Sequence, residues 1–228
     1  MRKLPCPIKV HSGLKPVVTQ PFGDTSSLAW YRERGMEMPF HNGVDIVLSG
    51  TDVQTYGSEL ITPSEGWRIV KAVFNAPMST KGNGVTIQSP QFEEDGIQKI
   101  LQVVYWHASH IESDSKIRPA YDTVANVGNT GAVKPEPTVE CPFAGSHLHL
   151  MLFEFHIING RSVLQNAGNG VNGAVNPLER FDMTWTIKGE DTGGSSDRYP
   201  LVWVFDKMGI KENWQKIMYG FTNWWNNK

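Results

Sequence analysis

No apolar run in this chain approaches the ~20 residues needed to cross a bilayer, so a helical membrane span is excluded. The N-terminus carries Arg2 and Lys3, but no apolar stretch follows, and no secretory signal is read there. Cysteine is scarce. Cys6 and Cys141 are the only two, without zinc-ribbon or redox spacing. A bridge between them needs a geometry that sequence does not give, and two free thiols fit equally well. An excess of one charge is also missing: 21 Lys and Arg face 23 Asp and Glu, for a net charge of -2. Broad electrostatic attraction to nucleic acid or acidic lipid is therefore not expected. With 39% hydrophobic and 19% charged residues, the composition is that of a folded chain. Its 228 residues suffice for one well-buried domain and an appendage.

Glycine and proline, 22 and 14 of them, punctuate the chain throughout. Between them lie short runs rich in Val, Ile, Thr and aromatics, at 67–74, 84–88, 100–106 and 147–155. Such runs predict a mainly β domain of antiparallel sheet, with no long amphipathic helix before residue 185. A polar, Gly- and Ser-rich stretch over 188–198 reads as a flexible linker. The expected organisation is an N-terminal arm at 1–19, a domain at 20–187, the linker, and an aromatic-rich tail at 199–228. In the tail, Trp214, Ile217, Met218, Phe221, Trp224 and Trp225 recur at helical spacing and predict one apolar helix face.

Seven histidines are present, and three stand in suggestive settings. The first is His41-Asn-Gly-Val-Asp45. Residues four apart on a strand are separated by ~13 Å, too far to share a metal. Asn42-Gly43 favours a turn, which would fold Asp45 back beside His41. Taken alone, the same pattern fits a surface loop. The second is His147-Leu148-His149 in the apolar run HLHLMLFEF. On a strand, both imidazoles point to one side, ~6.6 Å apart at Cα. A solvated histidine pair is the other reading. The third is His107, which ends the apolar run 100–106 and by itself signifies little. His110 and His156 are read as structural or exposed.

In order along the chain, these pieces resemble the lysostaphin and LytM family of zinc metallopeptidases, from about residue 20 to residue 181. Pro21-Phe22-Gly23 is similar to the family's opening. HNGVDI at 41–46 resembles its H-x-G-x-D motif, GNGVTIQS at 82–89 its Gly-rich strand entry, and YWHAS at 105–109 its Y-x-H-L-S element. VGNTG at 127–131 resembles its G-x-T-G turn, GSHLHL at 145–150 its H-L-H strand, and Asn176-Pro177 its closing N-P. The resemblance implies a duplicated-hybrid-motif fold. It implies zinc held by His41, Asp45 and His149, with His107 and His147 as the catalytic histidines. Three protein ligands leave one position open, as in catalytic rather than structural zinc sites. Either catalytic histidine would move the proton, and the other would stabilise the oxyanion.

The implied activity is hydrolysis of peptide cross-links or stem peptides in bacterial peptidoglycan. The sequence departs from the family between the Gly131 turn and the H-L-H strand. There the insertion AVKPEPTVECPFA at 132–144 carries three prolines and is expected to stand as a stiff loop beside the substrate groove. The lack of a recognisable signal and the aromatic tail suggest carriage to the wall in a phage virion, with the tail segment docked on phage tail proteins, or release by lysis. The alternative is a catalytically inactive wall-binding or structural component of a phage tail or envelope complex. A serine or cysteine hydrolase fits poorly, since Cys141 lies among prolines and Ser146 lacks a nucleophile-elbow context.

Overall fold

The computed structural model describes residues 3–11, 13–76 and 81–189. The linker from residue 190 and the aromatic tail lie outside the described residues.

The order of elements begins with β1 (Leu4–Pro5), β2 (Pro16–Gln20), α1 (Leu28–Glu33), β3 (Val44–Leu48), α2 (Asp52–Thr55) and β4 (Glu59–Ile61). It continues through β5 (Arg68–Val73), β6 (Gly84–Gln88), β7 (Phe92–Glu94), β8 (Ile97–Trp106), β9 (His110–Ile111) and β10 (Thr123–Asn126). Then follow β11 (Leu148–Ile158), β12 (Arg161–Leu164), β13 (Ala174–Val175), a 3-10 turn at Pro177–Glu179 and β14 (Phe181–Asp182). The chain is mainly β, built from antiparallel sheets, with short helices only among the described residues. The main sheet runs β2-β3-β11-β8-β6-β5, with β12 and β13 pairing with β11, and β7 with β8. A smaller sheet runs β4-β10-β9. The runs read from sequence as strands become β5, β6, β8 and β11.

Strand alternation decides which face is core. Val44, Ile46 and Leu48 on β3 point inward with Val85 and Ile87 on β6. Leu101, Val103 and Tyr105 on β8, and Leu148, Leu150 and Leu152 on β11, complete that layer. They pack with Leu60, Trp67, Val124 and Ala125 into one cluster. The residues between them necessarily face the other way. Asp45, His149 and Met151 are among these, so the site-bearing face is fixed by the same period of two that fills the core.

The segment at 1–19, set apart in the sequence as an arm, contributes Cys6, Ile8 and Val10 to this core, and its β2 joins the main sheet. β1 pairs in parallel with β14, and a further parallel bridge joins Val10 to Lys188. Backbone bonds run from Leu4 N to Arg180 O, from Cys6 N to Trp185 O, from Val10 N to Ile187 O and from Gly189 N to Val10 O. Cys6 is buried and Cys141 exposed, and both are free thiols. Burial pushes the Cys6 thiol up to about 12, so it behaves as a small apolar residue.

Away from the histidines, a buried ionic cluster ties β7, β8, β11 and the approach to β14 together. Lys99 lies 3.1 Å from Glu94 and 2.9 Å from Glu154, and Arg180 lies 2.8 and 2.7 Å from the same two carboxylates. Hydrogen bonds from Arg180 hold Glu94 down to about 2. Burial would raise Glu154, but bonds from Arg180, Lys99 and His156 hold it to about 2 as well. Because the folded values lie below the ordinary ones, this stabilisation is present above about pH 4.5 and is lost as the pH falls toward 2. Arg180→Met leaves two carboxylates with one lysine. It should cost ~3 kcal/mol in urea unfolding at pH 7. A loss within ~0.5 kcal/mol of zero would show the cluster to be energetically idle.

Candidate metal centre and cleft

His41, Asp45 and His149 reach one point from two neighbouring strands and the bend that precedes one of them. Asp45 on β3 and His149 on β11 are direct cross-strand partners, and His149 Nδ1 lies 2.8 Å from Asp45 Oδ1. His41 lies ahead of β3, beyond a bend at Gly43. A Cβ at Gly43 would stand 2.6 Å from Leu150 O and 2.8 Å from the His149 ring, so only glycine lets the chain pass this close. The bend returns His41 Nε2 to 3.0 Å from His149 Nδ1 and 3.3 Å from Asp45 Oδ1. This is the juxtaposition that the HNGVD spacing predicts, reached by a bend feeding a strand.

Hydrogen bonds on the outer nitrogens set the tautomers. A carbonyl can only accept, so a ring nitrogen facing one must carry the proton. His41 Nδ1 faces Pro21 O at 3.1 Å, which leaves Nε2 a bare acceptor toward Asp45 and His149. His107 Nδ1 faces Thr130 O at 2.7 Å, and His147 Nδ1 faces Gly145 O at 2.7 Å. Their Nε2 atoms are thereby left as acceptors. The His107 and His147 rings lie 4.5 Å apart, and His147 Nε2 is 3.7 Å from Asp45 Oδ1. The five residues named from the sequence are thus brought together. His110 and His156 are not: they pair locally, with Glu112 at 3.4 Å and Glu154 at 3.0 Å.

The two glycine-rich motifs explain His107. It follows β8 with a φ of 65°, an uncommon conformation for histidine. A Cβ at Gly82 would stand 2.1 Å from Thr130 O, and one at Gly131 would stand 2.2 Å from Gly82 N. The GNG and GNTG segments therefore interlock. Asn83 N donates to Thr130 Oγ1 at 2.9 Å, and Thr130 Oγ1 donates to Ala108 O at 3.1 Å. That contact fixes the carbonyl that orients His107.

Electrostatics keep the group in metal-binding form. Burial would raise the Asp45 carboxyl, but the neighbouring imidazoles of His147, His149 and His41 hold it well below the usual range. Burial lowers His149 to about 4 against the pull of Asp45. Burial also lowers His107 well below the usual range, and repulsion from His147 and His149 adds to it. Near neutrality, then, Asp45 is a carboxylate, and His149 and His107 are neutral imidazoles.

The donor set fits zinc. Nitrogen and carboxylate ligands at ~2.0–2.1 Å in a tetrahedron stand about 3.3 Å apart. The observed edges are 2.8, 3.0 and 3.3 Å. His149 Nδ1–H donates to Asp45 Oδ1 when no cation is present, and loss of that proton frees its lone pair for a metal. Among the described residues, this is the group suited to a metal ion.

Asp45, His107, His147 and His149 open on a cleft of about 420 Å³, with His41 buried behind them. Residues 132–135 of the insertion line it, as do Trp30 and Tyr31 of α1. The two segments meet where Arg34, stacked 4.1 Å over Trp30, pairs with Glu136 at 2.5 Å. Sequence patterns alone do not mark two of the cleft residues. Tyr31 stacks on His41 at 6.3 Å and bonds Gln20. Lys81 also lines the cleft, and burial lowers its ammonium. Neither lies in a patterned motif, so no local signal points to them.

No protein-family model and no curated protein matches the chain. Solved structures resemble it at low identity. The catalytic domain of the antimicrobial peptidase lysostaphin from Staphylococcus simulans is 18% identical, over 72% of this chain and 90% of that one, with a TM-score of 0.40. A catalytic-domain variant of the prophage-encoded protein EnpA from Enterococcus faecalis is 19% identical, over 77% and 95%, with a TM-score of 0.40. A putative glycyl-glycine endopeptidase lytM from Ruminococcus gnavus is 16% identical, over 82% of this chain and 63% of that one, with a TM-score of 0.43. Likenesses at this level say nothing of activity. The chain is mainly β and antiparallel by its own strand pairing.

Proposed function

We propose that the chain is a zinc-dependent endopeptidase acting on peptide cross-links or stem peptides of bacterial peptidoglycan. The observation that carries this reading is the convergence of His41 Nε2, Asp45 Oδ1 and His149 Nδ1 beside two further histidines in one cleft. His41, Asp45 and His149 would hold the metal, and when bound it supplies Lewis acidity toward the scissile carbonyl. His107 and His147 do the proton work. Each has Nδ1–H tied to a backbone carbonyl, which steadies the ring and supports the positive charge it gains as a base. A free Nε2 takes the proton of the attacking water and returns it to the leaving amine. Once protonated, the same nitrogen is a donor to the developing oxyanion. The choice of peptidoglycan rests on the ordered motifs of the sequence. Carriage in a phage tail also rests on the sequence alone, because the aromatic segment expected to dock there lies outside the described residues. The inactive wall-binding alternative is disfavoured by five filled positions.

The test is metal-dependent release of peptide amines from purified peptidoglycan. Chelator should abolish release and zinc should restore it, with mass spectrometry of the fragments naming the bond. Full release by protein verified as metal-free would end the proposal.

A further inference from the structure

Among the described residues, the buried cations are otherwise matched by carboxylates. Lys99 and Arg180 share Glu94 and Glu154, and Arg118 holds Asp114 and Asp122 at 2.7 and 2.6 Å. Lys81 breaks the pattern. Its side chain is partly buried and lines the cleft, yet its polar contact is the thioether of Met151, 3.9 Å away. A thioether is a weak acceptor and does little to replace the hydration that an ammonium gives up. Among the described residues no carboxylate lies within 4.0 Å of it.

The position of Lys81 gives this imbalance a meaning. Met151 follows His149 by two residues on β11, on the same face, so it stands ~6.6 Å further along the strand. Beyond it the sheet face is closed by Val171 and Ala174, which pack on Met151. Lys81 therefore lines the cleft beside Met151, one strand step from the candidate metal ligands. We infer that Lys81 is a specificity residue that pairs with a free carboxylate on the peptide substrate, within about two residues of the bond that is cut, given ~3.3–3.6 Å per extended residue. The inference rests on the peptidase reading and narrows it: the preferred substrates are peptides with an acid group close to the scissile bond, either a C-terminal carboxylate or an acidic side chain. An ammonium held by one buried stem meets a carboxylate as a point charge, without the fork geometry that arginine would require.

The experiment uses the full chain, zinc-loaded and with metal content verified. Short glycine and D-alanine peptides are titrated by calorimetry in matched pairs. One pair sets a C-terminal carboxylate against its carboxamide. The other sets an internal Glu against Gln with the terminus amidated, which separates the two sources of acid. Wild-type protein should bind the acidic member of one pair about tenfold or more tightly than its neutral partner. Lys81→Met and Lys81→Gln should bring that ratio toward one, and Lys81→Arg should restore part of it, all with unchanged zinc content. Equal affinities in both pairs, or no binding of any peptide, overturn the inference. So does a preference that survives in Lys81→Met, or one abolished by Lys134→Met, the other lysine lining the cleft. Hydrolysis is followed in the same samples. A carboxylate preference without cleavage counts against the peptidase reading and leaves carboxylate recognition standing.

Discussion

Asp45→Ala should strip the protein of zinc and lower kcat/KM by at least ~10³-fold while the fold persists. Asp45 supplies the anionic charge among three histidines, lying 3.3 Å from His41, 2.8 Å from His149 and 3.7 Å from His147. Without it, two neutral imidazoles face the metal alone, and one covalent donor is gone. The fold has little to lose, because Asp45 stands on the cleft side of β3 while Val44 and Ile46 hold the strand to the core. Metal analysis and a melting curve on the same sample separate the two effects. Zinc retained at full stoichiometry by Asp45→Ala, and lost by His107→Ala, would reverse the assignment of ligands.

His147→Ala and His107→Ala should do the opposite, keeping most of the zinc and losing ~10²–10⁴-fold in kcat, the usual worth of a positioned acid–base group. Their Nδ1 atoms are committed to Gly145 O and Thr130 O, so their role is played by Nε2. His107 has a second use for its ring, packed 4.5 Å from His147, so its removal also frees the His147 ring. The double variant should therefore lose less than the product of the single losses, as for groups that act together. Losses that multiply fully would mean that the two histidines serve separate steps.

Much of this site is legible in the amino-acid sequence. Alternation in VDIVL and HLHLMLFEF decides which side chains share a face, and that alone puts Asp45, His147 and His149 on the side away from the core. The Asn-Gly pair announces the change of direction that brings His41 in. Other parts leave no local trace. Tyr31 reaches His41 from a six-residue helix with no buried residue, so no apolar period marks it. Lys81 meets Met151 across 70 positions of chain, a contact that only the assembled sheet creates. The segment at 1–19 does carry a signal: Cys6, Ile8 and Val10 alternate as strand residues do. Pro5 and Pro7 mask it, because proline reads as a strand breaker, yet the segment is bonded on both sides, to β4 and to residues 185–189.

The parallel pairing of the first residues with the last described ones also has a mechanical meaning. Leu4 lies beside Phe181, and Val10 beside Lys188, with both segments running the same way. A pull that draws residue 4 and residue 188 apart is directed along the two strands. The four backbone bonds between them are then loaded together in shear, where an antiparallel hairpin would give way one bond at a time. Tension carried by whatever continues the chain past residue 189 is thus met first at this clasp, while the strands bearing Asp45 and His149 pair elsewhere, in the main sheet.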